Sequence, residues 1–142
     1  MKTEDRFIYL LSMAQVVVRT HVNNKLTKAG AKVTLAQAGI LFLLSVRDMR
    51  KMSELGDAIH VDNSAMTRVI DRMEKIGLVE RVTDPGNRRA ILIRLTPAGK
   101  AEEERARKVV NSVNAEIKSS FTADEINAYR KVLEGILKNF QK

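Results

Sequence analysis

The sequence predicts a mainly α-helical fold with a small β wing, in which a winged helix-turn-helix lobe joins a helical layer made from the two ends of the chain. Three observations predict it. Two apolar-periodic segments, residues 53–59 and 62–76, are separated only by His60-Val61, the spacing of two helices joined by a tight turn. Two short alternating segments, residues 79–82 and 90–95, flank Asp84-Pro85-Gly86-Asn87, four residues of turn-forming type. Long amphipathic segments occupy both ends, with apolar faces wider than so small a lobe can cover.

In chain order, Phe7, Leu11, Ala14, Val18, Val22 and Leu26 recur at steps of three and four and predict one face of a helix over residues 5–28. Ala29-Gly30 ends it, because glycine accepts the left-handed conformation of a helix exit. Thr34-Leu35-Ala36-Gln37 has the spacing of a capping box and starts a helix running to about residue 46. That helix is apolar nearly all round, so it is expected at the buried centre. Residues 47–51 read as a polar, basic connection. The next helix turns Leu55, Ala58 and Ile59 inward, and Asp62 or Asn63 caps the one after it, which closes at Gly77.

The returning strand alternates Ile91, Ile93 and Leu95 on one face. Thr96-Pro97 then opens a long helix, threonine as cap and proline at the first helical position. Its early part is charged; its later part carries Val109, Val110, Val113 and Ile117 on one face. The run from Phe121 to Ile126 combines a capping box with a hydrophobic staple. The last helix aligns Ile126, Tyr129, Leu133, Ile136, Leu137 and Phe140. The organisation expected is a single domain over residues 1–142, with the DNA-binding lobe at 33–97 and dimerisation helices at 1–30 and 98–142. A twofold homodimer buries the terminal apolar faces most economically; the alternative is a monomer whose ends wrap back on its own core.

The segment 62–76 separates into two faces. Met66, Val69, Ile70, Met73 and Ile76 form an inward stripe, and Ser64, Thr67, Arg68, Asp71, Arg72 and Lys75 an outward one. Short hydrogen-bonding side chains near the helix start suit base edges, and arginine suits guanine or phosphate. The DNA-binding residues expected are Asn63, Ser64, Thr67, Arg68, Arg72 and Lys75, joined by Arg88 and Arg89 of the wing. The plainer alternative for the helix is a solvated charged face with an Asp71–Lys75 pair. Asp71 would repel DNA unless it orients an arginine, so it is assigned a supporting role. Two adjacent arginines after Gly86 shift the balance, because a wing in a narrow minor groove places arginine where the potential is most negative.

These features together resemble the MarR family of bacterial and archaeal transcription regulators. The resemblance rests on Ser53-Glu54-Leu55, Val61-Asp62, Thr67-Arg68, Asp71-Arg72, the run Lys75-Ile76-Gly77-Leu78-Val79-Glu80-Arg81, the wing from Asp84 to Ala90, and the exit Leu95-Thr96-Pro97-Ala98-Gly99. It implies a homodimer that binds palindromic double-stranded operator DNA, usually as a repressor released by a small-molecule effector. It also implies a ligand pocket near the junction of the first, second and fifth helices, for which Val18, Phe42 and Val109 are the candidate lining. The family carries an aspartate two residues before its minor-groove arginine; the matching positions are Asn87 and Arg89, and asparagine can hydrogen-bond the arginine without pairing ionically. Gly56 stands where alanine is common, and Lys51 where a capping Ser or Thr is usual, so the first helix of the pair is expected to be slightly less stable.

Composition narrows the remaining classes. A net charge of +8 and an isoelectric point near 10.0 favour an anionic partner. There is no cysteine, which excludes disulfides, thiolate metal sites and thiol-based redox sensing, and suggests a cytoplasmic setting. Met1-Lys2-Thr3-Glu4-Asp5 shows no signal-peptide pattern, and the apolar run Ile40-Leu41-Phe42-Leu43-Leu44 is far too short to span a bilayer, so no membrane partner is expected. No nucleophile elbow, phosphate-cradling loop or Cys–His pair is present, so no enzyme is expected. His21 and His60 are far apart, and neither a metal nor another cofactor is expected. Two functions remain: a ligand-responsive dimeric repressor, and a basic winged-helix module that binds DNA without sequence preference or binds a protein.

Overall fold

The structure, a computed structural model, describes residues 6–141. The elements are α1 (Phe7–Lys28), α2 (Leu35–Val46), β1 (Arg50–Lys51), α3 (Met52–Ile59), α4 (Asn63–Lys75), β2 (Val79–Asp84), β3 (Asn87–Leu95), α5 (Pro97–Ser119) and α6 (Ala123–Phe140). The chain divides into two compact units, the first ending at Val109 and the second beginning at Val110.

Helix boundaries follow local chemistry. Both capping boxes form: Thr34 with Gln37 at α2, and Thr122 with Glu125 at α6. Asp62, not Asn63, caps α4, accepting the Ala65 N–H at 2.8 Å. Three helices close with the paired Schellman bonds. After α1, Ala31 N–H donates to Leu26 O and Gly30 N–H to Thr27 O; after α4, Leu78 N–H donates to Met73 O and Gly77 N–H to Glu74 O. Gly30 and Gly77 take the positive φ that this requires. After α3 the same role falls to His60 at φ 59°, with Val61 N–H on Gly56 O.

The sheet has the order β1-β3-β2 and is antiparallel throughout. β1 corrects the expectation of a plain connection over residues 47–51: Arg50 pairs with Ile93 and Lys51 with Leu92. The strands also run further than the alternation suggests. β2 reaches Asp84 and β3 starts at Asn87, so Arg88 and Arg89 lie within a strand rather than a loop.

Leu26, Ile40, Leu41, Leu44, Leu55, Met66, Ile70, Met73, Val79 and Ile93 are fully buried and form the core of the first unit. α2 is central as expected, although Phe42 and Val46 face out. Other inward expectations fail at the edges. Ala58 is exposed and Gly56 is buried in its place, because α3 is crossed closely by the turn into α4. A Cβ on Gly56 would lie 2.7 Å from Val61 O and 2.9 Å from Met66 Cγ. Ile76 and Ile91 are exposed, one at the helix end and one beyond the core on the wing. On α1 only Val22 and Leu26 of the expected face are buried.

The charged start of α5 holds a further departure. Glu102 and Glu103 are each only 4% exposed. Glu102 accepts the Lys32 N–H and pairs with Arg105 at 3.0 Å, and Arg105 reaches Gly30 O. Glu103 pairs with Arg107 at 3.1 Å. The bonds from Lys32 to Glu102 and from Arg105 to Gly30 O pin the α1–α2 loop to the first turns of α5. In the second unit Val113 is buried, while α6 has no buried residue.

Candidate nucleic-acid interface

α4 presents the outward face that its periodicity predicts. Asn63, Ser64, Thr67, Arg68, Asp71, Arg72 and Lys75 are exposed, while Met66, Ile70 and Met73 are buried beneath them. The hydroxyl protons near the helix start are already committed. Ser64 Oγ donates to Asp62 Oδ1 at 2.8 Å, and Thr67 Oγ1 donates to Asn63 O at 2.9 Å. Both residues therefore show a partner their acceptor lone pairs, and Thr67 also a methyl, which suit amino donors and the thymine methyl of the major groove. Asp62 is held below the usual carboxylate range, first by the Ala65 N–H and then by the Ser64 hydroxyl.

The wing is rigidified by its own side chains. Asp84 Oδ1 accepts the Gly86 N–H at 2.9 Å, and Asn87 Oδ1 accepts the Arg89 N–H at 3.2 Å. Asn87 thus holds the arginine through its backbone rather than through its guanidinium. The ladder is irregular here: Thr83 pairs with Ile91 but Asp84 pairs with Asn87, so Arg88, Arg89 and Ala90 form a bulge across which strand alternation does not carry. Both arginines are exposed, on the wing beyond the rung at which Ile93 is buried.

The distribution of ion pairs marks the surface more sharply than the net charge does. Residues 33–97 hold ten basic against eight acidic side chains, so most of the +8 lies outside the lobe. Arg47 and Arg50 share one carboxylate, Glu54, and Arg94 pairs with Glu80. Arg81 is bound to Asp71 at 2.6 Å and Glu74 at 2.5 Å, which keeps its guanidinium pKa above the ordinary value, the Asp71 hydrogen bond being the largest cause. Among the described residues, no ion pair engages the other six: Lys51, Arg68, Arg72, Lys75, Arg88 and Arg89. Five of these are the cations predicted from sequence. The sixth, Lys51, is the N-cap of α3 and makes no side-chain cap bond. It lies beside Met52, whose Sδ is 3.5 Å from Thr67 Oγ1 on the outward face of α4. In the sequence Lys51 reads only as a poor cap; its signal is the replacement of a short polar residue by a cation.

Asp71 does orient an arginine, but the partner is Arg81 of β2 rather than a residue of α4, and the i,i+4 pair with Lys75 does not form. The candidate ligand residues occupy α1, α2 and α5: Val18 and Phe42 are exposed and Val109 is half-buried. Among the described residues no group of three or more His, Cys, Asp or Glu side chains could hold a metal, and no helix is long and apolar enough to cross a membrane.

Comparison with known proteins now decides the family. The family model described as "MarR family" matches residues 33–91. The multiple antibiotic resistance protein MarR of Escherichia coli is 31% identical over 106 residues, 74% of this chain and 74% of its own. This chain belongs to the MarR family. Among solved structures, that of a mutant E. coli MarR complexed with operator DNA is similar at a TM-score of 0.85 and 28% identity, over 94% of each chain. That of CouR from Rhodococcus jostii bound to p-coumaroyl-CoA shares the fold at a TM-score of 0.83 and 24% identity, covering all of this chain and 97% of the other. The chain is therefore a winged-helix transcriptional regulator of MarR type.

Proposed function

We propose that this MarR-family protein is a homodimeric, sequence-specific repressor that binds palindromic operator DNA in the cytoplasm and is released by a small-molecule ligand. The observation that carries the reading is the segregation of cations. Four of the ten lobe cations are spent on structural pairs, and the six left unpaired sit on α4, on the wing and at the start of α3. In this reading α4 enters the major groove, with Ser64, Thr67 and Arg68 at base edges and Asn63, Arg72 and Lys75 nearer the phosphates. Arg89 enters the adjacent minor groove, Arg88 faces its wall, and Lys51 meets the backbone that the first helix of the motif crosses.

Dimerisation supplies the second half-site and covers apolar surface. Phe7, Ile8, Tyr9, Leu10, Leu11 and Met13 are all exposed on consecutive turns of α1, and a helix apolar on every side belongs in an interior. The effector would bind between the helical layer and the winged lobe, near Val18, Phe42 and Val109; the ligand-bound CouR structure supports such a site only through shared fold. A coupling of about 1–3 kcal/mol between ligand and DNA suffices for release. In this reading the role is binding rather than catalysis; a relative described as an HTH-type transcriptional repressor supports it.

Selection of bound duplexes from a random pool tests this directly. A palindrome with half-sites about 34–36 Å apart is expected. Enrichment of no sequence, with affinity set by salt alone, would leave a non-specific module instead. On the selected operator, Arg89→Ala should weaken binding about tenfold and lower the salt slope by roughly one contact; an unchanged slope would remove the wing from the interface.

A further inference from the structure

The wing reaches well beyond the core that supports it. Along its lobe-facing side β3 carries Ile93 and Ile91, and β2 carries Arg81 opposite Ile93 and Thr83 opposite Ile91; Arg89 follows in the bulge where the register shifts before Asp84 pairs with Asn87. Ile93 is buried, but Ile91 is 52% exposed and Thr83 and Arg89 are exposed as well. The rung formed by Arg81 and Ile93 is thus the last one anchored on this face. Arg89 lies four residues further along β3, past the last regular pair, Thr83 with Ile91. A tilt of the hairpin about the Arg81–Ile93 rung is carried to the arginine and moves it out of a positioned contact.

What holds the anchor is a fork. Arg81 donates to Asp71 Oδ1 from one terminal nitrogen at 2.6 Å and to Glu74 Oε1 from the other at 2.5 Å, and its backbone N–H donates to Glu74 Oε2 at 3.2 Å. Asp71 and Glu74 are three apart on α4, the spacing at which side chains are neighbours, so one planar guanidinium spans both. The Arg81 side chain is 25% exposed, partly withdrawn from the screening that weakens surface pairs. The fork also offsets half the charge of two carboxylates on the helix that carries Arg68, Arg72 and Lys75.

Building on the DNA-binding reading above, we propose that Arg81 is a positioning residue: by locking the wing base to the recognition helix, it sets where Arg89 meets the minor groove. Arg81 need not touch DNA. Lysine would not replace it, because a point charge cannot bridge two carboxylates in a fixed plane.

The test is a double-mutant cycle on the selected operator, read by fluorescence anisotropy with the full chain. Arg89→Ala should weaken the wild type about tenfold but the Arg81→Met protein less than twofold, since a wing no longer held gains little from its arginine. Arg81→Lys should fall between wild type and Arg81→Met. A general loss of folded protein scales both backgrounds alike, so it cannot produce this non-additivity. If Arg81→Met fails to fold, Asp71→Asn with Glu74→Gln removes the same ties from the helix side, and the same cycle is run on that variant. Equal fold-losses from Arg89→Ala in both backgrounds would overturn the proposal while leaving DNA binding intact. A wild type that binds no duplex would overturn both.

Discussion

In the winged lobe Ile40, Leu41, Leu44, Leu55, Met66, Ile70, Met73 and Ile93 are all buried by the chain itself, whereas the first turns of α1 expose a run of large apolar side chains and α6 buries nothing fully. Charge divides the same way. The lobe holds few excess cations but leaves six unpaired on α4, the wing and the start of α3; most of the chain's net positive charge lies outside it. The contrast teaches that a basic isoelectric point did not locate the DNA surface. Selective neutralisation supports the proposed surface, because a cation already paired with a carboxylate has little left to offer a phosphate. It also shows that the lobe buries its core within one chain, while α1 and α6 leave large apolar side chains exposed.

The largest expected effect breaks that contrast at α1. Leu10 is 53% exposed in the single chain, where a change to glutamate would shift stability by only about 0.5 kcal/mol or less. If a second copy covers α1, Leu10→Glu dissociates the dimer in sedimentation and weakens operator binding by about 10²-fold or more, the loss of linked half-sites. An intact dimer with wild-type affinity would place the interface elsewhere.

A smaller effect sharpens the claim that the lobe buries its core within one chain. Helix propensity alone says that Gly56→Ala should stabilise α3 by roughly 1 kcal/mol. The structure gives the opposite sign, since the new methyl would meet Val61 O, a backbone atom that cannot swing aside, and Met66 Cγ. A net loss of about 1–3 kcal/mol in urea unfolding is expected, as for overpacked cores. Gly99 is tighter still, its Cβ falling 2.0 Å from Leu78 O where the hairpin exit crosses the end of α4. A stabilised Gly56→Ala protein would show that this crossing is loose.

How much of this was legible in the sequence depended on range. The caps at Thr34, Asp62 and Thr122 and the exits at Gly30 and Gly77 were readable because each is closed by residues within one or two turns. The inward and outward faces of α4 were readable because period fixes them. β1 was not, because two polar residues become a strand only through pairing with Ile93 and Leu92, more than forty positions away. The burial of Glu102 was hidden for the same reason: its partners, the Lys32 N–H and through Arg105 the Gly30 carbonyl, come from a loop some seventy residues earlier. The Arg81 fork went unread because Asp71 and Lys75 offered a local pair that tertiary packing outbid.

The smallest predicted effect concerns pH and again separates local from global causes. Asp62 is fully exposed, yet its carboxylate pKa is depressed because the ionised form accepts the Ala65 N–H and the Ser64 hydroxyl. A group whose folded pKa lies below its unfolded value contributes stability above the unfolded value and loses it as pH falls through the folded one. Its reference value is 3.8, so the contribution is whole at pH 6 and declines below about pH 4. Asparagine caps a helix nearly as well but does not titrate there. The melting temperature of Asp62→Asn should therefore sit slightly below wild type at neutral pH, and the gap should close in acid. A gap that stays constant down to pH 3 would mean that the start of the recognition helix is held by its packing on Met66 and Ile70 rather than by its cap.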